Sequence, residues 1–206
     1  MTSRPKSISI NQPKQVLVEG LDDERLFGAF LKHLGVTDVQ IHQYSGKENL
    51  GNFLKAYVRT PGFEVCSAIG IVRDADLDNN SAFQSIRTCL GNAGLAQPSE
   101  PLRQAPGPPS VTILVLPHGS NQGALEDVCL DAVSKDPATP CVEKYFMCLR
   151  HQKLLPVPQS HSKAKAYAFL SSRERPGLRI GEAAEAGYWP LDHAAFSVIR
   201  QFLGML

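Results

Sequence analysis

Four short apolar runs, each followed by a segment with helical spacing, constrain the fold of this chain more than any other feature. The runs lie at 15–19, 39–44, 111–116 and in the first half of 68–78. They are rich in β-branched residues and too short to form stable isolated helices. Strands that alternate with helices in this way predict a parallel sheet with right-handed crossovers. We therefore expect an α/β fold with a mainly parallel, four-stranded sheet flanked by helices.

The chain changes character after Pro140. Three helices are predicted there, at about 141–153, 163–170 and 192–203. We therefore divide the chain into an α/β core of residues 1–139 and a helical C-terminal lobe of residues 140–206 that packs on the core. Residues 97–110 contain five prolines, which predicts a surface loop and excludes a helix or a central strand.

Composition and cysteine usage narrow the class of protein. A chain of 206 residues that is 43% hydrophobic and 20% charged is ordinary for a globular protein. Its five cysteines show no CxxC spacing, which favours buried free thiols in a reducing compartment, and we expect the cytoplasm. Cys141 and Cys148 lie seven apart on a predicted helix and are expected to share its buried face; a zinc site with His151 is the alternative. No apolar run reaches the ~20 residues of a membrane span.

Charge is distributed unevenly along the chain. Residues 1–140 carry 12 Lys and Arg against 15 Asp and Glu, whereas residues 141–206 carry nine against five. The acidic part and the basic part are compatible with a metal site and a surface for a phosphate backbone. Two ordinarily solvated faces are the alternative interpretation.

Acidic residues follow three of the predicted strands. Glu19 ends the first strand, Asp74 and Asp76 end the third, and Glu126 follows the fourth. In a flavodoxin-like order the first and fourth strands flank the third, and these acids then meet at the carboxyl edge of the sheet. Carboxylates packed so closely repel one another unless a cation or a proton holds them, and Mg²⁺ prefers such oxygen ligands. Asp78 has the alternative role of a helix N-cap.

Three motifs resemble those of the Toprim fold, which is found in topoisomerases, primases and the overcoming-lysogenization-defect nucleases. They are V-L-V-E-G-L-D-D at 16–23, D-A-D at 74–76 and G-A-L-E at 123–126. The resemblance covers about residues 14–135 and is greatest to small stand-alone Toprim-related proteins of unassigned function, which the C-terminal G-Y-W-P-L-D-H also resembles. It implies a nuclease or related phosphoryl-transfer enzyme that acts on nucleic acid and depends on Mg²⁺ or Mn²⁺.

The resemblance to the nuclease branch also implies roles for individual residues. The implied metal ligands or their close supports are Glu19, Asp23, Asp74, Asp76 and Glu126. Such a cluster fits two-metal phosphodiester hydrolysis, although topoisomerases and primases assign the glutamate acid–base work, so both roles stay open for Glu19. The nuclease branch supplies a catalytic lysine from beyond the sheet; Lys163 and Lys165 lie in a comparable part of this chain, and Lys47 lies in a strand-end loop.

An alternative function is a non-catalytic Toprim-like module that binds nucleic acid or a protein partner in a larger system, such as a defence or toxin–antitoxin pair. The sequence does not distinguish DNA from RNA as the nucleic acid. It is also compatible with either a monomer or a homo-oligomer. Other motifs are excluded. A calcium loop would need glycine and glutamate where Asn79 and Ser85 stand. No GxxxxGK[ST] phosphate loop exists, and G-S-N-Q-G at 119–123 has its serine one position too early for a nucleophile elbow.

Overall fold

Four parallel strands form one sheet in the computed structural model, which describes residues 8–152 and 161–206. The strands are β1 (Lys14–Val18), β2 (Val39–Gln43), β3 (Ala68–Asp74) and β4 (Ser110–Leu116), in the order β2-β1-β3-β4. The predicted α/β class and the flanked parallel sheet are therefore confirmed. Glu19 and Tyr44 lie one residue beyond the strands that were expected to contain them.

Eight α-helices lie within the described residues. They are α1 (Leu21–Leu34), α2 (Leu50–Tyr57), α3 (Asn79–Asn92), α4 (Leu125–Ala132), α5 (Thr139–His151), α6 (His161–Leu170), α7 (Ile180–Glu185) and α8 (Ser197–Gly204). None of them combines the length and the apolar character that crossing a membrane requires.

The C-terminal helices differ from the sequence expectation in two respects. The sequence pattern does not predict α7, because six residues give too few apolar positions to reveal a period. The last helix begins at Ser197, after a 3₁₀ turn at Ala194–Phe196, and not at residue 192. Lys153, the expected end of α5, lies outside the described residues.

Alternating side chains of the strands form two hydrophobic clusters, one on each face of the sheet. On one face, Leu17, Ile71 and Ile113 pack against α2 and α3. On the other, Val16 and Leu114 join the buried side chains of α1 and α4–α8 in a single cluster. The C-terminal helices thus cover one face of the sheet and share its core.

The expectation of buried cysteines on α5 is wrong. All five cysteines are free, but Cys141 and Cys148 are exposed. The face that α5 buries carries Val142 and Phe146, four residues apart, because these larger side chains remove more apolar surface from water. No group of three or more His, Cys, Asp or Glu side chains that could hold a metal ion occurs in the described part of the chain, so the alternative zinc site with His151 finds no support.

The proline-rich segment 97–110 contains neither a helix nor a strand before Ser110, where β4 begins, as predicted. Backbone hydrogen bonds in both directions join Ala105 to Val111 on β4. Since β4 is an edge strand, this segment partly satisfies its outward backbone groups and protects the edge from pairing with another chain.

Candidate functional site

The strand order brings acidic residues from three strands to the carboxyl edge of the sheet. β3 lies between β1 and β4, and all of them run in the same direction. Asp74 is the last residue of β3, Glu19 directly follows β1, and Glu126 lies in the first turn of α4 after β4. Parallel pairing therefore gathers residues that are far apart in sequence.

These residues line one crevice with a volume of about 250 Å³, which we call the acidic crevice. Among the residues predicted from the sequence, those that line it are Glu19, Asp23, Asp74, Glu126 and Lys163. Asp76 and Lys165 are not among its lining residues. Asp22 and Arg179 also line it, so the acidic crevice contains five carboxylates and two cationic side chains.

Two of the carboxylates also hold helix N-termini in position. Asp74 accepts a hydrogen bond at Oδ1 from the backbone N–H of Leu125, at 2.9 Å, where α4 begins. Asp23 accepts one at Oδ2 from the N–H of Gly20, also at 2.9 Å, at the start of α1. Both contacts satisfy donors that a helix leaves unpaired, and they fix the carboxylates on the rim of the crevice.

Burial and mutual repulsion disfavour the ionised forms of these acids. The pKa of Asp74 is raised well above its ordinary value, first by burial and then by the charges of Asp23, Glu126 and Glu19. Burial raises the pKa of Asp23 to about 6, and the charges of Glu19 and Glu126 contribute in the same direction. Burial and the charge of Asp76 raise the pKa of Glu19, although nearby cations oppose them. The five carboxylates that line the acidic crevice also outnumber its two cationic side chains, Lys163 and Arg179.

The two predicted lysines have different surroundings. The Nζ of Lys163 lies 3.7 Å from Oε1 of Glu126, whose side chain is only 12% exposed. The Nζ of Lys165 instead contacts both carboxylate oxygens of Glu143 on α5, at 2.6 and 2.7 Å. Because the two lysines are two positions apart on α6, they leave the helix in nearly opposite directions. Of the two, Lys163 lies at the acidic crevice.

Asp76 lies in a neighbouring crevice of about 540 Å³, which we call the polar crevice. Its Oδ2 is 2.7 Å from the Nζ of Lys47. The Asp76 backbone has a positive φ of 52° and exchanges two hydrogen bonds with Gly123. This turn separates Asp76 from Asp74, although only one residue lies between them.

The donor chemistry of the acidic crevice fits a hydrated divalent cation. Within the described residues, no three His, Cys, Asp or Glu side chains form a group that could hold a metal ion as they stand. Mg²⁺ does not require three protein ligands, because it keeps several water ligands and binds through one or two carboxylates. The carboxylates of Asp74 and Glu126, which both line this crevice, are oxygen ligands of this kind.

Sequence reasoning missed several residues around the site. Arg179 lines the acidic crevice, but it precedes the short helix α7 and no motif marks it. Asp127 accepts hydrogen bonds from the Ala124 N–H and from the Ser162 hydroxyl. A signal for Asp127 does exist, because Leu-acid-Asp begins both α1 and α4.

Asp78 is a helix N-cap, which was the alternative role considered for it from the sequence. It is the N-cap of α3 and accepts hydrogen bonds from the backbone N–H and the hydroxyl of Ser81, at 3.1 and 2.8 Å. These bonds lower the pKa of Asp78. It lines neither the acidic nor the polar crevice.

Comparison with known proteins gives a family. Neither a curated protein nor a solved structure matches the chain. A family model matches residues 13–206, and by this match over nearly the whole length the chain belongs to the family described as "Protein of unknown function (DUF3226)".

Proposed function

We propose that the protein is a divalent-metal-dependent nuclease or related phosphoryl-transfer enzyme that acts on nucleic acid at the acidic crevice. One observation carries the proposal: carboxylates from the ends of three parallel strands line a single crevice without enough positive charge to neutralise them. The resemblance of the three sequence motifs to Toprim nucleases supports the same reaction class. The carboxyl edge of an open α/β sheet is also where ligands bind in such folds.

The roles of the residues follow from their positions. Asp74, Glu19 and Glu126 would hold Mg²⁺ or Mn²⁺, and the bound ion would supply Lewis-acid stabilisation for charge on a phosphoryl oxygen. Asp23 supports Glu19 by fixing the turn between β1 and α1. Lys163, about half exposed at the rim, is positioned to attract a phosphate.

Metal binding and cleavage test this proposal together. Calorimetry with Mn²⁺ is expected to show binding to the wild-type chain, and single- and double-stranded DNA and RNA substrates identify the cleaved class. Asp74→Asn and Glu126→Gln each remove a negatively charged ligand and are expected to lower Mn²⁺ affinity and cleavage by at least about 100-fold.

The matched control is Asp131→Asn, which removes an exposed carboxylate from the same helix as Glu126. It is expected to bind Mn²⁺ like the wild type. The proposal is wrong if the wild type binds no Mn²⁺, or if Asp74→Asn binds Mn²⁺ with the same affinity as the wild type.

A second candidate function is a non-catalytic module that binds nucleic acid. It is favoured by the hydrogen bonds of Asp23 and Asp74 to helix N-termini, since these give both residues a structural task that needs no metal ion. Salt-dependent binding of an oligonucleotide without turnover in Mg²⁺ or Mn²⁺ would support this candidate.

A further inference from the structure

The polar crevice adjoins the acidic crevice along the starts of two helices. On α4, Glu126 lines the acidic crevice and Asp127 lines the polar one. On α6, Lys163 lines the acidic crevice and Ser162 lines the polar one. The hydrogen bond between Ser162 and Asp127 joins the two helices at this boundary. The phosphate backbone of a nucleic-acid strand bound in one crevice would therefore continue into the other.

The polar crevice has a smaller excess of negative charge than the acidic crevice, because two carboxylates and one lysine line it. Its two carboxylates both have partners: Asp76 pairs with Lys47, and Asp127 accepts hydrogen bonds from Ala124 and Ser162. The Lys47 side chain is 42% exposed. An ammonium that is this accessible can exchange a carboxylate for a phosphate oxygen at small cost, since exposed ion pairs contribute little.

The loop that carries Lys47 is fixed to the carboxyl edge of the sheet. The N–H of Gly46 donates a hydrogen bond to the backbone carbonyl of Glu19, at 3.0 Å. Ser45 and Gly46 both have positive φ, at 60° and 102°. For Ser45 this is a sparsely populated conformation, which persists only where the surroundings impose it. Lys47 therefore has a defined position relative to Glu19.

An aromatic side chain completes the wall of the polar crevice. His161 lines the crevice and packs edge-on against Phe146, with ring centroids 5.1 Å apart. Burial lowers the pKa of His161, and the charges of Lys165 and Arg150 lower it further. Aromatic rings, including that of His, serve as stacking surfaces for unpaired bases.

We propose that the polar crevice binds one nucleotide of a single strand, next to the phosphodiester that the acidic crevice receives. Lys47 contacts its phosphate and His161 contacts its base or sugar. The volume of about 540 Å³ lies within the range of roughly 300–1,000 Å³ of sites for small ligands, which favours a single nucleotide over a duplex. This inference rests on the proposed function, because it assigns the substrate of the same site.

Fluorescence anisotropy with short, labelled, phosphorothioate-linked single strands tests the inference on the full chain in Ca²⁺, which prefers oxygen ligands as Mg²⁺ does. We expect Lys47→Gln to weaken binding about tenfold. The loss of one phosphate contact is also expected to reduce the slope of log affinity against log salt concentration by about 0.7. A merely structural role for Lys47 would not change this slope.

Two further variants serve as controls. Lys47→Arg keeps the positive charge and is expected to keep the wild-type slope. Lys55 is exposed on α2 and lines neither crevice. Lys55→Gln is therefore expected to keep the wild-type affinity and slope. The inference is overturned if the wild type binds no single strand, or if Lys47→Gln keeps the wild-type affinity and slope. Mn²⁺ binding that depends on Asp74 would then still leave the proposed function standing.

Discussion

At the scale of single residues, the ionised forms of the buried acids in the acidic crevice are unfavourable in the folded protein. Asp23 and Asp74 satisfy helix donors, yet burial and the neighbouring carboxylates make their ionised forms costly. A proton or a divalent cation relieves this cost, since either one reduces the net negative charge of the cluster. Stability should therefore depend on pH, and so should the metal binding that we propose.

Asp23 is expected to make the folded protein less stable as the pH rises from about 4 to above 6. The pKa of Asp23 is raised from 3.8 to about 6 on folding, so the folded state binds a proton more tightly than the unfolded state. Its contribution to stability is fully present below pH 3.8 and is lost as the pH passes through the folded-state value. Urea unfolding in a chelator across this range measures the effect.

Asp23→Asn is the matched variant, because an amide oxygen can still accept the Gly20 N–H without titrating. It is expected to reduce the fall in stability between about pH 4 and 6. An equally steep pH dependence in this variant would contradict the assignment to Asp23.

At the scale of elements, the helix starts determine where the functional side chains lie. Both α1 and α4 begin with a leucine, an acidic residue and an aspartate, and in each helix this aspartate accepts the backbone N–H three residues earlier. On α4 the same turn directs Glu126 into the acidic crevice and Asp127 into the polar crevice. Local capping thus assigns adjacent acids to different crevices.

The N-cap of α3 gives a prediction that is independent of the site. Asp78→Ala removes the acceptor of the Ser81 N–H and hydroxyl, and is expected to destabilise the protein by about 1 kcal/mol. Asp78→Asn retains an effective N-cap and is expected to lose much less stability than Asp78→Ala. Urea denaturation measures both variants, and equal stability of Asp78→Ala and the wild type would exclude a capping role.

At the scale of the whole molecule, the helices of residues 140–206 complete the core that the sheet begins. Phe202 of α8 lies over Gly70 in β3, where an added Cβ would approach the phenyl ring to 2.4 Å. The glycine in this strand is therefore required by the close contact with α8. Helix α7 is joined to α1, because the Gly181 N–H donates to Asp22 and Arg25 pairs with Glu182.

This shared core predicts that the sheet and the C-terminal helices unfold together. Trp189 is the single tryptophan of the chain; it is buried, stacks on Phe169 and donates its indole N–H to the Ile180 carbonyl at 2.9 Å. Its fluorescence reports on the C-terminal helices, whereas far-UV circular dichroism reports on the whole chain. The two signals are expected to give coincident urea transitions.

Phe202→Ala is expected to destabilise the protein by about 3–5 kcal/mol and to shift both transitions equally. If Trp189 fluorescence changes at lower urea than the circular dichroism signal, residues 140–206 unfold as a separate unit.

The sequence by itself determined the strands, most of the helices and the sheet in which they alternate, because apolar periodicity is a local property. Strand order then followed from general rules for parallel sheets, and this brought Glu19, Asp74 and Glu126 together. Only the tertiary structure decided that Asp74 lines the acidic crevice and that Asp76 does not. It separates Asp74 from Asp76 through the turn paired with Gly123.

The same holds for the lysines and the cysteines of the C-terminal helices. Lys163 approaches Glu126, while Lys165 pairs with Glu143, a residue of a different helix. Cys141 and Cys148 are exposed, because other residues of α5 fill the core. The physical reason is common to all these cases: periodicity records which face of an element is apolar, whereas the partners of its remaining side chains come from segments distant in sequence.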